Sequence, residues 1–531
     1  MRILKRSLPF LIGLVLFVSC RKTFETDWDV DLAAPIARSN LNIKNFISDT
    51  IFQSDNNGML HLQFSKPIAS FKLDTLVKIP DTVIVQSFPL PVNFSVTPGM
   101  ILPGFPQTTD IDFQINNNVE LRKATINSGN IKIVYTNTFT EPLVFDLTLP
   151  SAMKYGFPFT IHETVNPGTT GNVRYYDVSG YDVNMTGISG NKTNTLKQTV
   201  TISIANNANA AVTQTNQNVQ ADISYSNLVP YYVEGYFGQQ FLNVPYDSVA
   251  LNISNSLQAS NFQINSASIN FKIVNEFGVD ITAQLSNIKS RNTYSNTSVT
   301  LNATGLSNLN INKANKTNNF SNPVFPSIQT VSVNTSNSNL KQFLDNLPDY
   351  LTYSGNVSIN PLGNVSGSND FAFLNTGITI YADVDMPLEL NADYFKLTTM
   401  TPIDLSGVKQ LDNINYGDIV IQATNGFPFN AVLQGYLLDD QKKVIDSLFT
   451  VPGNILQAGK VDANNKVYEP VYTKILIPFT TSKLQNLKLC KTVKFVSQFN
   501  LPLQPPDIKI YDNYNLDVIL SVDVNYKASK K

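Results

Sequence analysis

The chain is predicted to be mainly β, built as tandem antiparallel β-sandwich domains with a few short helices. Three observations predict this. Charged residues make up only 15% of the 531 positions, while Thr, Val and Ile are plentiful beside 22 Tyr and 32 Phe. β-branched and aromatic side chains suit half-buried pleated surfaces, and the helix formers Ala, Glu and Lys are too scarce for long helices. Asn and Asp, with 25 Gly and 28 Pro, supply turns along the whole length. Finally, one strand-corner-strand pattern occurs three times. Apolar residues recur nearly throughout, which separates the chain from Asn-rich disorder.

The first element is a leader. Arg2, Lys5 and Arg6 precede an uncharged apolar run, Leu8 to Val18, broken only by Pro9 and Gly13 and ending in Phe17-Val18-Ser19-Cys20. A positive start, a short apolar middle and a small-residue end are the parts of an export signal, and the run is too short to span a bilayer as a permanent helix. The closing tetrapeptide resembles the lipobox of bacterial lipoproteins, with Phe17 where that family prefers Leu. The resemblance implies removal of residues 1–19 and lipid attachment at Cys20 through palmitate-type chains. The two cysteines, Cys20 and Cys490, give no disulfide framework, so an acyl acceptor is the natural use of the first. Several acyl chains anchor stably where one alone is marginal. Arg21, in place of Asp, implies by the sorting rules of such lipoproteins an outer-membrane address. The acids Glu25, Asp27, Asp29 and Asp31 follow at a distance, which leaves the cell-surface and periplasmic faces both open.

A chain this long exceeds one hydrophobic core. Residues 20–35 read as a tether. Residues 36–115 read as an N-terminal β region whose prolines (Pro80, Pro89, Pro91, Pro98, Pro103, Pro106) mark edge strands and irregular connections. Repeats fill 116–258, 259–405 and 406–531. They are carried by Ile131-Lys132-Ile133-Val134-Tyr135-Thr136-Asn137-Thr138-Phe139, by Ile269-Asn270-Phe271-Lys272-Ile273-Val274-Asn275-Glu276-Phe277, and by Ile419-Val420-Ile421-Gln422-Ala423-Thr424-Asn425-Gly426-Phe427. Small residues before each (Ser128-Gly129, Ser266-Ala267, Gly417) suggest a turn, and a second strand follows each. Alternation puts one face inward. Asn bonds its own chain at the corner, and Phe two residues later returns to the core. The unit therefore reads as a hairpin, with Asn137, Asn275 and Asn425 structural. The Asn-x-Phe corner resembles that of water-stress, LEA-type β-sandwich domains, which implies an immunoglobulin-like sandwich and no activity.

A second echo, Leu228–Gly235 against Leu347–Gly355, reads as a further sign of duplication. Helices are expected over Asn339–Leu347, with Leu340, Phe343, Leu344 and Leu347 on one face before Pro348, and over Ser482–Leu489, with Leu484, Leu487 and Cys490 inward. Leu41–Ile47 has material for a turn or two. Leu516–Tyr526 alternates as the strand that ends the last sheet. Leader, composition and the Trp28–Pro35 segment together resemble large outer-membrane lipoproteins of Bacteroidota-type bacteria, a resemblance that implies location and no mechanism.

Lys and Arg total 38 against 40 Asp and Glu, and loss of the leader makes the remainder more acidic. Like charges adjoin only in pairs, such as Arg122-Lys123, Lys442-Lys443 and the terminal Lys530-Lys531, so a nucleic-acid partner is excluded. His61 alternates opposite Leu60, Leu62 and Phe64, and His162 lies in an equally strand-like run; both read as solvated. H-E-x-x-H, G-x-S-x-G, a Walker loop and Cys/His metal spacing are all missing, so no catalytic residue, cofactor or metal site is expected. Cys490 reads as a small buried apolar residue. Asp27-Trp28-Asp29-Val30-Asp31 has the alternating acids of a calcium loop without its Gly or distal Glu. Asp383 and Asp385 read as a strand's polar face, Asp439-Asp440 as a hairpin turn.

The expectation is a non-enzymatic, lipid-anchored envelope protein with a structural, adhesive or protein-binding role. Its partners would be the membrane, through the N-terminal lipid, and an envelope protein or glycan. One alternative is a carbohydrate-binding surface lipoprotein associated with nutrient uptake, stacking sugars on Tyr175-Tyr176, Tyr231-Tyr232 and Tyr236. Another is a hydrolase of envelope or extracellular polymer using carboxylates distant in sequence. Lipid carriage in an apolar groove between sheets is the remaining one.

Overall fold

Alternating apolar residues drive the chain into paired sheets with buried inner faces. In the strand Glu120–Asn137, Ile131, Ile133 and Tyr135 are buried; in Leu143–Lys154, so are Leu143, Phe145, Leu147 and Leu149. The Tyr135 and Phe145 rings meet edge to face at 5.2 Å, which sets these consecutive strands in two facing layers. The computed structural model describes residues 27–43, 52–89, 93–213, 215, 217–251, 258–260, 263–319, 321–391, 394–405, 414–450, 455–500 and 508–529.

Three antiparallel sandwiches share one plan. In the first, one layer runs Thr82–Pro89, Asn218–Tyr236, Glu120–Asn137, Thr169–Asp177. Its other layer runs Gln107–Asp112, Thr195–Ile204, Leu143–Lys154, Phe157–Val165. The second repeats the order as Leu60–Lys72, Gly377–Pro387, Ser268–Asn275, Ser327–Asn334, facing Gln240–Ala250, Tyr350–Ile359, Ile281–Asn292, Thr297–Thr300. The third repeats it again as Asp27–Leu41, Leu516–Ser529, Ile414–Asn425, Val471–Pro478, facing Tyr394–Pro402, Thr492–Asn500, Ala431–Leu438, Val444–Ser447. We call the strands of the first-named layer the opening, closing, corner and edge strands.

The predicted sandwiches are there, but their segments are nested in sequence. The opening strands of the third, second and first sandwiches follow one another, after which the chain completes the first, then the second, then the third. Two compact units result: one holds the third sandwich, the other the first and second. This corrects the linear partition. Residues from Asp27 onward belong to a strand and not to a tether. The 36–115 region is no domain of its own, since its strands are shared among the sandwiches. Gln240–Ala250 pairs into the second sandwich and Tyr394–Pro402 into the third. The closing strand Leu516–Ser529 lies between two neighbours and ends nothing. Alternation reports which face of a strand is buried and says nothing of its partner. The prolines of that region do mark edges: Thr82–Pro89, ending in Pro89, and Gln107–Asp112, just after Pro106, each lie at the edge of a layer.

The corners also differ from the expected hairpin. Corner strand and following strand pair with other strands, in opposite layers. Ser128-Gly129 is no turn, because Glu120–Asn137 runs straight through it. Each corner is fixed by its asparagine. Phe139 N–H donates to Asn137 Oδ1 (2.9 Å), while Asn137 Nδ2 donates to the carbonyls of Glu141 (3.1 Å) and Val165 (2.9 Å). Asn275 makes the same bonds with Phe277 N–H (3.0 Å) and the Val279 and Asn312 carbonyls (2.8 and 2.9 Å). Asn425 does so with Phe427 N–H (3.0 Å) and the Phe429 and Gln457 carbonyls (3.0 and 2.9 Å). Phe139, Phe277 and Phe427 are buried.

The second echo is not a duplication. Leu228–Gly235 lies in a closing strand, whereas Tyr350–Ile359 belongs to the opposite layer of the second sandwich. Both expected helices form. Leu340–Asp345 buries Leu340, Phe343 and Leu344. Thr481–Leu489 is capped by Thr480, which accepts from Lys483 N–H. A single turn, Leu73–Leu76, had no sequence signal. The turn expected over Leu41–Ile47 falls mostly outside the described residues, as do Cys20 and the leader.

Candidate binding groove

The residues singled out from sequence scatter over the fold. His162 is exposed, its Nδ1 2.5 Å from Asp146 Oδ1; His61 is half-buried. Cys490 is buried, donates to the Thr492 carbonyl, and has its thiol pKa pushed up by burial. Asp29 and Asp31 accept from the side-chain amides of Asn415 (3.1 Å) and Asn525 (2.8 Å), so this segment is cross-braced strand. Asp385 accepts from Gln63, and Asp439 caps its turn by accepting from the N–H groups of Gln441 and Lys443. Among the described residues no group of three or more His, Cys, Asp or Glu is placed to hold a metal. The paired tyrosines do not converge. Tyr175 is 66% exposed on an edge strand. Tyr176 donates to Glu163 (2.8 Å), and burial pushes its phenol up to about 12.

What does converge is a groove where the second sandwich's opening strand hands over to the first's. The connector after Lys72 makes the turn Leu73–Leu76 and then runs irregularly to Thr82, burying Leu73, Val77 and Ile79. The facing wall is Asn227–Pro230, where the closing strand Asn218–Tyr236 breaks register repeatedly. A bulge needs an unusual backbone residue, and Asn227 supplies one with φ 54. Its N–H is held by Asp81 Oδ1 at 2.8 Å. Leu374 completes the groove, its N–H donating to the Tyr231 carbonyl at 2.7 Å. The space amounts to about 680 Å³, within the roughly 300–1,000 Å³ of ordinary ligand sites. Asp74, Lys78 and Asp81 are charged members of the lining. Sequence reasoning missed the groove because its walls come from segments far apart in the chain, near Leu73–Asp81, Asn227–Pro230 and Leu374.

The adjoining stretch of closing strand carries a charged cluster. Glu234 accepts from Tyr232 (2.5 Å), Lys123 (3.1 Å) and Lys316 (2.6 Å), and Lys316 also donates to the Tyr232 hydroxyl. Lys316 further lies 4.8 Å from the Phe371 ring centroid. Burial pushes the Glu234 carboxyl up, but the bonds from Lys316, Tyr232 and Lys123 outweigh it and hold the pKa at about 2 against an ordinary 4.5. A depressed carboxylate stabilises above its unfolded pKa and loses that contribution as pH falls. Glu234→Gln should therefore flatten the loss of thermal stability between pH 4.5 and 2, by about 1–2 kcal/mol after allowance for solvent screening. Parallel pH–melting curves for variant and parent would contradict this.

Fold and groove together define a nested three-sandwich β protein with a groove of mixed, mainly apolar lining. Among the described residues no helix is long and apolar enough to cross a membrane. No protein-family model and no curated protein matches the chain. Among solved structures, the chain is similar over 94% of its length to 99% of a protein from Parabacteroides distasonis ATCC 8503 described as secreted, at 9% identity and a TM-score of 0.26. It is also similar to the infectious bursal disease virus Gx strain structure, at 8% identity and a TM-score of 0.12 over 87% of this chain and 83% of that one. Likenesses this loose carry no argument.

Proposed function

We propose that this is a non-enzymatic, lipid-anchored outer-membrane protein, attached through Cys20, with a structural, adhesive or protein-binding role towards another envelope component. The observation that carries the binding role is the hairpin tip Tyr155-Gly156 of the first sandwich. Tyr155 is 90% exposed and Phe157 74%. Tyr155 also holds a left-handed backbone, φ 55, which costs a non-glycine residue roughly 1–2 kcal/mol. The two-residue turn between the paired Lys154 and Phe157 demands that backbone, with Gly156 also at positive φ. The turn thus accounts for the conformation but not for the choice of an aromatic there, and exposed aromatics are what interfaces use as anchors. A structural reading of the three asparagine corners supports this, since each side-chain amide is engaged by main-chain groups of its own sandwich. The lipobox-like leader supports the anchor.

Metabolic labelling with an alkyne palmitate analogue tests the anchor. The parent chain should carry label and fractionate with the outer membrane, and Cys20→Ser should lose both. Label retained by Cys20→Ser would remove the anchor from this reading. Photo-crosslinking from Tyr155 in intact cells tests the contact, with capture of a discrete envelope protein expected and an uncrosslinked product counting against it.

A further inference from the structure

Behind the groove a second cavity, about 40 Å³, lies inside the first sandwich. Its lining is apolar and comes from both layers, with Phe113, Ala124, Leu149, Ala152 and Tyr225 among its walls. The Tyr225 hydroxyl is engaged by Gln198 at 2.6 Å. Ile79 and Leu228 belong to the linings of groove and cavity alike, so these two side chains form the partition. Neither sits in a regular ladder. Ile79 is on the irregular connector, and Leu228 lies within the bulge between register shifts. Leu228 is seated over Gly129, where a Cβ would fall 2.6 Å from Leu228 Cδ2. A partition made of two aliphatic side chains outside the ladder needs only a rotamer change to open, with no sheet hydrogen bond to break.

We propose that groove and cavity form one site for a single unbranched acyl chain, as of a free fatty acid. The end of the tail passes between Ile79 and Leu228, the rest of the chain lies along the groove, and the polar end stays in water at the rim, where Lys78 stands with Asp74 and Asp81. Size selects this occupant. A cavity of about 150 Å³ holds benzene, so an interior of about 40 Å³ takes the last one or two carbons of a chain and not a ring, and the groove of about 680 Å³ holds the rest of the chain. A two-chain lipid has no second cavity to fill. The apolar lining of the cavity offers nothing to a sugar or peptide, whose buried polar groups would go unpaired.

The test titrates cis-parinaric acid, a fluorescent single-chain acid, into the full chain carrying Cys20→Ser, so that no acyl group of its own competes and the outcome does not depend on the anchor. A saturable one-to-one rise displaced by palmitate is expected. Ala124→Val, which fills the cavity from a strand position, should bind about tenfold more weakly, the worth of roughly two buried methylenes. Leu228→Ala should speed uptake. Ala152→Val, from another wall, repeats the filling test should Ala124→Val misfold, and melting curves certify each variant. Absence of a saturable rise in the parent, or unchanged affinity in a folded filling variant, overturns the proposal. Equal displacement by diacyl phosphatidylglycerol vesicles would do the same, by showing a lipid surface as the ligand.

Discussion

Asn425→Asp is expected to destabilise the third sandwich more than Asn425→Ala at neutral pH, although aspartate is the closer match in shape. Asn425 is 1% exposed, and its amide serves three main-chain groups: Phe427 N–H and the carbonyls of Phe429 and Gln457. Alanine leaves all three unpaired in the core. At about 1–3 kcal/mol for each buried orphan, the loss should reach roughly 3–5 kcal/mol. Aspartate keeps the acceptor for Phe427 but turns both donations into a carboxylate facing two carbonyl oxygens. Such a site disfavours the charged form, so the folded-state pKa must lie above the roughly 3.9 of an unfolded aspartate. The added penalty is therefore absent below that value and grows as pH rises, because the protonated acid recovers one donor. Urea denaturation of the full chain in acid and at neutral pH reads both effects. The assignment of donor and acceptor fails if the aspartate variant is the milder at neutral pH, or if its penalty does not ease in acid. Asn137 and Asn275, with the same bonds, should give the same order.

That asparagine was legible in the sequence because its job is local. It sits at a fixed place after an alternating run and before a phenylalanine, and most of what it bonds lies within a few residues. The inward faces were legible for the same reason: Ile131 and Ile133, or Ile419 and Ile421, alternate with polar residues, and burial follows the alternation. The helix at Leu340 declared itself by spacing and by Pro348. Partner choice has no such local trace. Nothing in Asp27–Leu41 says that its neighbour is Leu516–Ser529, because any alternating strand of that length satisfies any other. The groove illustrates the same limit. Gly129 was read as a turn residue, yet its missing Cβ makes room for Leu228 of another strand, and Leu73, Val77 and Ile79 look like any apolar run. Asn227 ahead of Leu228 was the one available hint, since Asn tolerates the left-handed backbone that a bulge requires.

Nesting carries the second large effect, for it makes the C-terminal sandwich depend on the N-terminal strand. A chain lacking residues 27–41 should lose the fold of the third sandwich. The missing strand buries Ile36 and Leu41 and pairs along the whole of Leu516–Ser529. Each large apolar side chain buried is worth about 1.5–3 kcal/mol, and the smaller Ala34 and Ala37 are buried too. With the ladder hydrogen bonds at about 0.5–1.5 kcal/mol each, the strand supplies an amount comparable to the roughly 5–15 kcal/mol that holds a whole domain. Its loss also bares the closing strand as a new edge, with Val518, Leu520 and Val522 no longer covered on that side, a geometry that invites pairing between chains. The readout is limited proteolysis with mass mapping: residues 414–529 should become cleavable while the corner strands of the first and second sandwiches stay protected. Adding a synthetic peptide of residues 27–43 should restore protection, as strand addition to an exposed edge does elsewhere. Resistance of the shortened chain equal to that of the intact one would mean that the closing strand holds its place without its partner, and the nested order would then be an accident of connection and not a condition of folding.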